Sequence, residues 1–159
     1  MRLWPNKRRK SARALIIRDG ELLTFLRKRY SKKTGEWIEY YSIPGGGIDN
    51  GESPEQAVVR ELYEEMGVQI KLGPLVAHRI GKIFEHYVYA ADIVDGSPHL
   101  MLDSEEAAHM GEQNQFIVTW VPVKKLTKEN LRYYCDYLEL IQHLGAGNKP
   151  DGVLKIDAR

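Results

Sequence analysis

The stretch from Pro44 to Gly67, PGGGIDNGESPEQAVVRELYEEMG, limits the fold more than any other part of this 159-residue chain. Three consecutive glycines, Gly45, Gly46 and Gly47, follow a proline, and such a run comfortably continues neither a strand nor a helix. Ser53 then offers an N-cap, Pro54 fits the first helical position, and Gln56 stands three residues after Ser53 to close a capping box. Gly67 supplies a left-handed stop. The spacing predicts a helix over 54–66, entered from a glycine loop and roughly 20 Å long.

On that helix an advance of about 100° per residue puts Glu61, Glu64 and Glu65 within one arc of about 100°. Val58, Val59, Leu62 and Met66 fill the neighbouring arc and form the expected core face. Glu61 and Glu65 stand four residues apart, a like-charge spacing that costs about 0.2–0.5 kcal/mol. Arg60 flanks Glu64, but no lysine on the helix offsets the glutamates. Carboxylates gathered without cations point to a cation taken from solution, and oxygen ligands favour Mg²⁺ or Mn²⁺. A solvated acidic face is the alternative that the helix alone leaves open. The glycine run, with Glu52 in the returning segment, favours the metal site.

Composition bounds the rest. The length suits one domain. The single cysteine, Cys135, excludes an internal disulfide and suits a reducing compartment. It is read as packing or a free thiol. No apolar run reaches the ~18–20 residues of a membrane helix, and the first residues lack the apolar stretch of a secretory signal. A cytoplasmic protein with no membrane partner is therefore expected. Net charge is +1, but residues 1–33 carry +10 and the remainder −9. The run NKRRK reads as a solvated tail, with a nucleic-acid patch as the alternative.

Along the chain, SARALIIR and ELLTFLRKR form an expected hairpin about Asp19-Gly20. WIEYYSI is a strand. Strands are expected at 75–83, 84–94 and 116–123, with a polar loop and local helix over 100–115. A last helix is expected over 128–144, capped by Thr127, with Leu131, Tyr134, Leu138 and Ile141 as its core stripe. A domain over 1–144 then leaves a tail at 145–159, with a short strand near 153–156. The order predicts an α+β fold in which helices pack on a mixed sheet.

From Gly46 to Val68 the order is glycine, five residues, Glu52, seven residues, Arg60-Glu61, Leu62, one residue, Glu64-Glu65, one residue, Gly67 and Val68. This resembles the signature of the Nudix (MutT-like) hydrolases at every fixed position. The resemblance implies an α/β/α sandwich with a mixed sheet between helices. It also implies metal-dependent cleavage of a phosphoanhydride, usually with Mg²⁺, in a nucleoside diphosphate derivative. By the same resemblance Glu61, Glu64 and Glu65 are metal ligands, and Arg60 orients them by pairing with Glu64 or Glu52. Glu52 holds the loop or adds a water-mediated ligand. Glu61 is a candidate base. A further carboxylate is expected from Glu105, Glu106 or Glu112, with Glu106 preferred. Gly45, Gly46 and Gly47, with Arg27, Arg29 and Tyr41, are candidate substrate contacts.

Subfamily markers are missing. No SQPWPFPxS-type array follows Val68, Ile83 stands where ADP-ribose enzymes carry proline, and Tyr87 only approaches the position of a diadenosine-polyphosphate tyrosine. Elimination leaves nucleoside triphosphates, including oxidised ones such as 8-oxo-dGTP. The alternatives are an RNA 5′-pyrophosphohydrolase, an ADP-ribose or dinucleotide pyrophosphatase, and a nucleotide sensor without catalysis. An exposed edge strand could support a homodimer.

Overall fold

The computed structural model describes residues 8–159; residues 1–7, with the start of the NKRRK run, lie outside the described residues. The strands are β1 (Arg9–Leu15), β2 (Ile17–Arg18), β3 (Glu21–Ser31), β4 (Glu36–Ser42), β5 (Gly45–Gly47), β6 (Gln69–Ile80), β7 (Phe84–Asp95), β8 (Asn114–Pro122) and β9 (Leu154–Asp157). The helices are α1 (Pro54–Met66), α2 (Glu105–Ala108), α3 (Lys128–Leu131) and α4 (Leu138–Gly145), with a 3₁₀ segment at Arg132–Tyr137 between the last two.

The mixed sheet is divided in two. One sheet runs β5-β1-β7-β6-β9, and the other joins β2, β3 and β4 with β8 paired to β3. β1 lies parallel to β7 and antiparallel to β5. The expected hairpin survives only as β2 against β3, joined by Asp19 and Gly20 at positive φ. SARALIIR is not one strand, because the chain passes between sheets at the fully buried Ile16. There the Leu23 N–H still donates to the Ile16 carbonyl at 2.9 Å. The Ile16 carbonyl therefore stays paired through the crossing.

Two cores lie on either side of this framework. Ala12, Ala14, Leu62 and Met66 pack between α1 and the strands. Leu15, Val88, Leu131, Tyr137 and Ile141 pack beneath the C-terminal helices. The structure is thus the expected layering of helices about a mixed sheet. The single helix expected over 128–144 is broken: Arg132 takes φ 52°, which ends α3 and turns the chain through 3₁₀ geometry into α4. The stripe still reaches the core through Leu131 and Ile141, but it is Tyr137 that becomes buried beside them. The strand expected near 153–156 forms as β9, parallel to β6 at the sheet edge. Cys135 is a half-buried free thiol.

Candidate active site

α1 forms as its caps dictate. Ser53 and Gln56 complete the capping box, and Gly67 ends the helix at φ 69°. Its roll about its axis differs from expectation. Val59 is 39% exposed, whereas Glu65 is 3% exposed. Glu65 lies about 20° from Val58 and about 60° from Leu62 around the helix, so turning the apolar stripe fully inward carries Glu65 in with it.

The glycines are not a free loop. β5 pairs with β1 along Gly45–Gly47, and β1 supplies the partner that makes a glycine strand tenable. Two of the three are required by close approach. A Cβ on Gly45 would fall 2.2 Å from the Ala12 carbonyl oxygen, and one on Gly46 would fall 2.6 Å from the Glu61 carboxyl carbon. Gly47 has open space about it. Its carbonyl instead accepts from Arg60 Nη2 at 3.0 Å.

Arg60 is the hub. It donates from Nε and Nη2 to both oxygens of Glu52, at 2.7 and 2.9 Å, and from Nη1 to Glu61 at 3.0 Å and Glu64 at 3.1 Å. Glu52 also accepts the Asp49 N–H at 3.0 Å, which closes the turn before α1. Arg60 holds the Glu52 carboxyl below its ordinary range, and Glu52 in return raises Arg60 further.

α2 completes the cleft. The segment before it docks on the end of α1 through backbone: His99 N–H donates to the Met66 carbonyl and Met101 N–H to the Glu65 carbonyl. Those carbonyls have no partner within the helix, so the loop satisfies them. Ser104 caps α2, and Glu106 on that helix shares the cleft with Glu61, Glu64 and Glu65 of α1. The resulting cleft of about 570 Å³ is lined by Glu61, Glu64, Glu65, Arg60, Asp103 and Glu106, among others. Of the loop candidates, Glu105 and Glu106 line it, and Glu112 does not. Asp49 and Asp103, which sequence reasoning did not single out, also line it. Only a short capped helix, Ser104-Glu105-Glu106-Ala107, marks that region in the sequence.

Burial, then Glu106 and Glu61, push the Glu65 carboxyl well above its usual range. Burial raises Glu106 as well, with Glu61 contributing. Glu65 Oε1 and Glu106 Oε2 are buried with no hydrogen-bond partner among the described residues. Orphaned carboxylate oxygens facing other carboxylates fit a divalent cation. As the side chains stand, no group of three or more His, Cys, Asp or Glu among the described residues is placed to hold a metal ion.

The remaining candidates lie on the second sheet. Arg27 stacks on Phe116, 3.8 Å from the ring centroid, and donates to Asn114 Oδ1 at 3.3 Å and Tyr40 OH at 3.4 Å. Asn114 in turn donates to the His109 carbonyl at the end of α2. Arg29 donates to Tyr133 OH at 3.2 Å. Tyr41 packs on the C-terminal core, and the ring beside Arg27 is Tyr40.

The family model described as NUDIX domain matches residues 7–141. The chain belongs to the Nudix family. As a Nudix protein it is a hydrolase acting on acid anhydrides. It is 30% identical over 141 residues to human diphosphoinositol polyphosphate phosphohydrolase 3-alpha, an alignment covering 84% of this chain and 74% of that one. The fold matches a Nudix hydrolase from Nitrosomonas europaea with a TM-score of 0.65 at 15% identity, covering 95% of this chain and 80% of that one. A MutT Nudix hydrolase from Burkholderia pseudomallei matches with a TM-score of 0.56 at 26% identity, covering 84% and 97%. Among the described residues no helix of this Nudix chain is long and apolar enough to cross a membrane.

Proposed function

We propose that the protein hydrolyses a phosphoanhydride bond in a small phosphate-bearing molecule, using Mg²⁺ or Mn²⁺ held by Glu61, Glu64, Glu65 and Glu106. The observation that carries this reading is the pair of buried, unpartnered oxygens, Glu65 Oε1 and Glu106 Oε2, in one cleft with Glu61. When bound, the cation neutralises the diphosphate and lowers the pKa of a water. The chain's own residues do the rest. Arg60 fixes Glu52, Glu61 and Glu64 in one array, so that the carboxylates stay in place under mutual repulsion. Glu61, between Arg60 and Glu65, is the proposed acceptor of the attacking water's proton. Gly46 leaves room for the Glu61 carboxylate against β5.

A nucleoside di- or triphosphate derivative, such as the oxidised 8-oxo-dGTP, is the first substrate reading, supported by the family's general chemistry. A diphosphate on a more heavily phosphorylated carrier is the second. It is favoured by Arg27, whose buried Nε has no partner among the described residues, and by the human relative's name. The test is incubation with Mg²⁺ and a panel of both classes, with ADP-ribose, dinucleotide polyphosphates and 5′-triphosphorylated RNA included. Orthophosphate and pyrophosphate release are measured. Turnover is expected with Mg²⁺ and none with chelator. Binding without turnover across the panel would replace this reading with that of a nucleotide sensor.

A further inference from the structure

The face of the first sheet opposite α1 carries charge where a core would be expected. In register, Ser11 on β1, His86 on β7 and Arg79 on β6 form one row across three strands. Arg13 stands two residues along from Ser11 on the same face of β1. The 3₁₀ segment covers this row. Arg13 lies over the Tyr134 ring at 5.2 Å, and Arg79 pairs with Asp136 at 2.8 Å. His86 stacks on Phe84, with ring centroids 4.7 Å apart, and Arg79 lies over that same Phe84 ring at 4.6 Å.

These donors are only partly used. Arg13 donates from Nη1 to the Ile43 carbonyl at 2.7 Å, but its Nε is buried without a partner among the described residues. Ser11 Oγ and Tyr137 OH are buried and unpartnered in the same sense. Asp136 is the carboxylate that answers Arg79. On this face the two guanidiniums have Asp136 as their one paired carboxylate among the described residues, with Glu65 acting on Arg13 from the α1 side. The strip between the strands and the 3₁₀ segment is therefore a net positive recess. The repulsion is felt by His86, whose protonated form is disfavoured first by burial and then by Arg13 and Arg79. An anion in the recess would reverse both conditions, giving the idle donors acceptors and the cations a counter-charge.

The recess is also close to the carboxylate cleft. β5 is an edge strand of three glycines, with Arg13 against Gly45 on one face and Glu61 against Gly46 on the other. Backbone alone therefore separates them at that edge. The rings here are already faced by guanidinium groups, at Tyr134 and Phe84, so the surface offers N–H donors more than bare rings for stacking a base.

We propose that Arg13, Arg79, His86 and Ser11 form a second anion subsite, which receives a phosphate group of the substrate remote from the bond that is cleaved. The proposal rests on cleavage at the carboxylate cleft and adds that the substrate bears at least two separated phosphate groups.

The first measurement is a titration of the full chain, in chelator, with inorganic phosphate, following the His86 ring resonances by NMR. A saturable shift is expected, weakened about tenfold in Arg79→Met and in Arg13→Met, and retained in Glu65→Gln. Arg79 is the safer variant because it lies at the rim, so a folding failure of Arg13→Met does not remove the test. The second measurement is steady-state kinetics on a diphosphate substrate with a further phosphate elsewhere and on one without. Arg79→Met is expected to raise KM about tenfold for the first, leaving kcat and the second substrate unchanged. No saturable shift in the parent protein overturns the subsite. A shift with no KM effect assigns the recess to free phosphate and overturns the substrate role. If no anhydride is cleaved at all, the proposed activity fails, and the phosphate titration alone still decides whether the recess binds anions.

Discussion

Glu65 shows how one residue couples stability to chemistry. Its carboxyl is buried in the apolar face of α1, and burial, Glu106 and Glu61 hold it well above the ordinary 4.5. The folded chain therefore keeps a proton that the unfolded chain releases above about 4.5, so in chelator stability declines as pH rises from there. Glu65→Gln is expected to raise the melting temperature at neutral pH in chelator and to lessen this decline, leaving the part that comes from Glu106. In the presence of Mg²⁺ it is expected to lower kcat by about a hundredfold. A variant that cleaves as well as the parent protein would end the assignment of Glu65 to the metal. Arg60 poses a different question, that of geometry. Its fork reaches Glu52 with two nitrogens while touching Glu61, Glu64 and Gly47. Lysine keeps the charge and loses the fork. Arg60→Lys is expected to reduce kcat/KM by about tenfold or more with a stability loss of about 1–2 kcal/mol, read from kinetics and denaturant midpoints together.

At the scale of elements, the junction of β5 with α1 makes a sharp contrast. Gly46→Ala places a Cβ 2.6 Å from the Glu61 carboxyl carbon, whereas Gly47→Ala meets nothing within 4 Å. Gly46→Ala is expected to displace Glu61 and cut kcat by at least about tenfold, while Gly47→Ala leaves the melting temperature near that of the parent protein. Equal effects of the two substitutions would show that the packing of Glu61 against β5 is immaterial. α1 itself was legible in the sequence, because Ser53, Gln56, Pro54 and Gly67 act within a few residues of one another. β5 was not, because a glycine run is tenable as a strand only where a distant segment, here β1, pairs with it. The break at Arg132 was hidden too. The apolar spacing over 128–144 is helical throughout, and nothing local announces a residue at φ 52°.

For the whole molecule, the half-buried His86 and the buried Glu65, on opposite faces of one sheet, pull stability in opposite directions with pH. Burial, then Arg13 and Arg79, bring the His86 ring down to about 4, against 6.5 when unfolded. A depressed pKa contributes stability that is present above 6.5 and lost as pH falls toward 4. Glu65 slopes the other way above 4.5. In chelator the His86 and Glu65 slopes are thus expected to oppose each other between about 4.5 and 6.5, with Glu106 adding to the decline on the Glu65 side. His86→Asn removes one slope and leaves the decline attributed to Glu65, which a set of melts across pH would resolve. The sequence by itself determined the helix, its caps, the carboxylate spacing and the family, since each depends on residues close together along the chain. Tertiary structure alone decided that Glu65 turns inward and Val59 out, that Asp49 and Asp103 join the cleft, and that Arg13, Arg79 and His86 share one face. Those outcomes follow from strand register and from how α1 rolls against its sheet, and both are set by contacts between residues far apart in the chain.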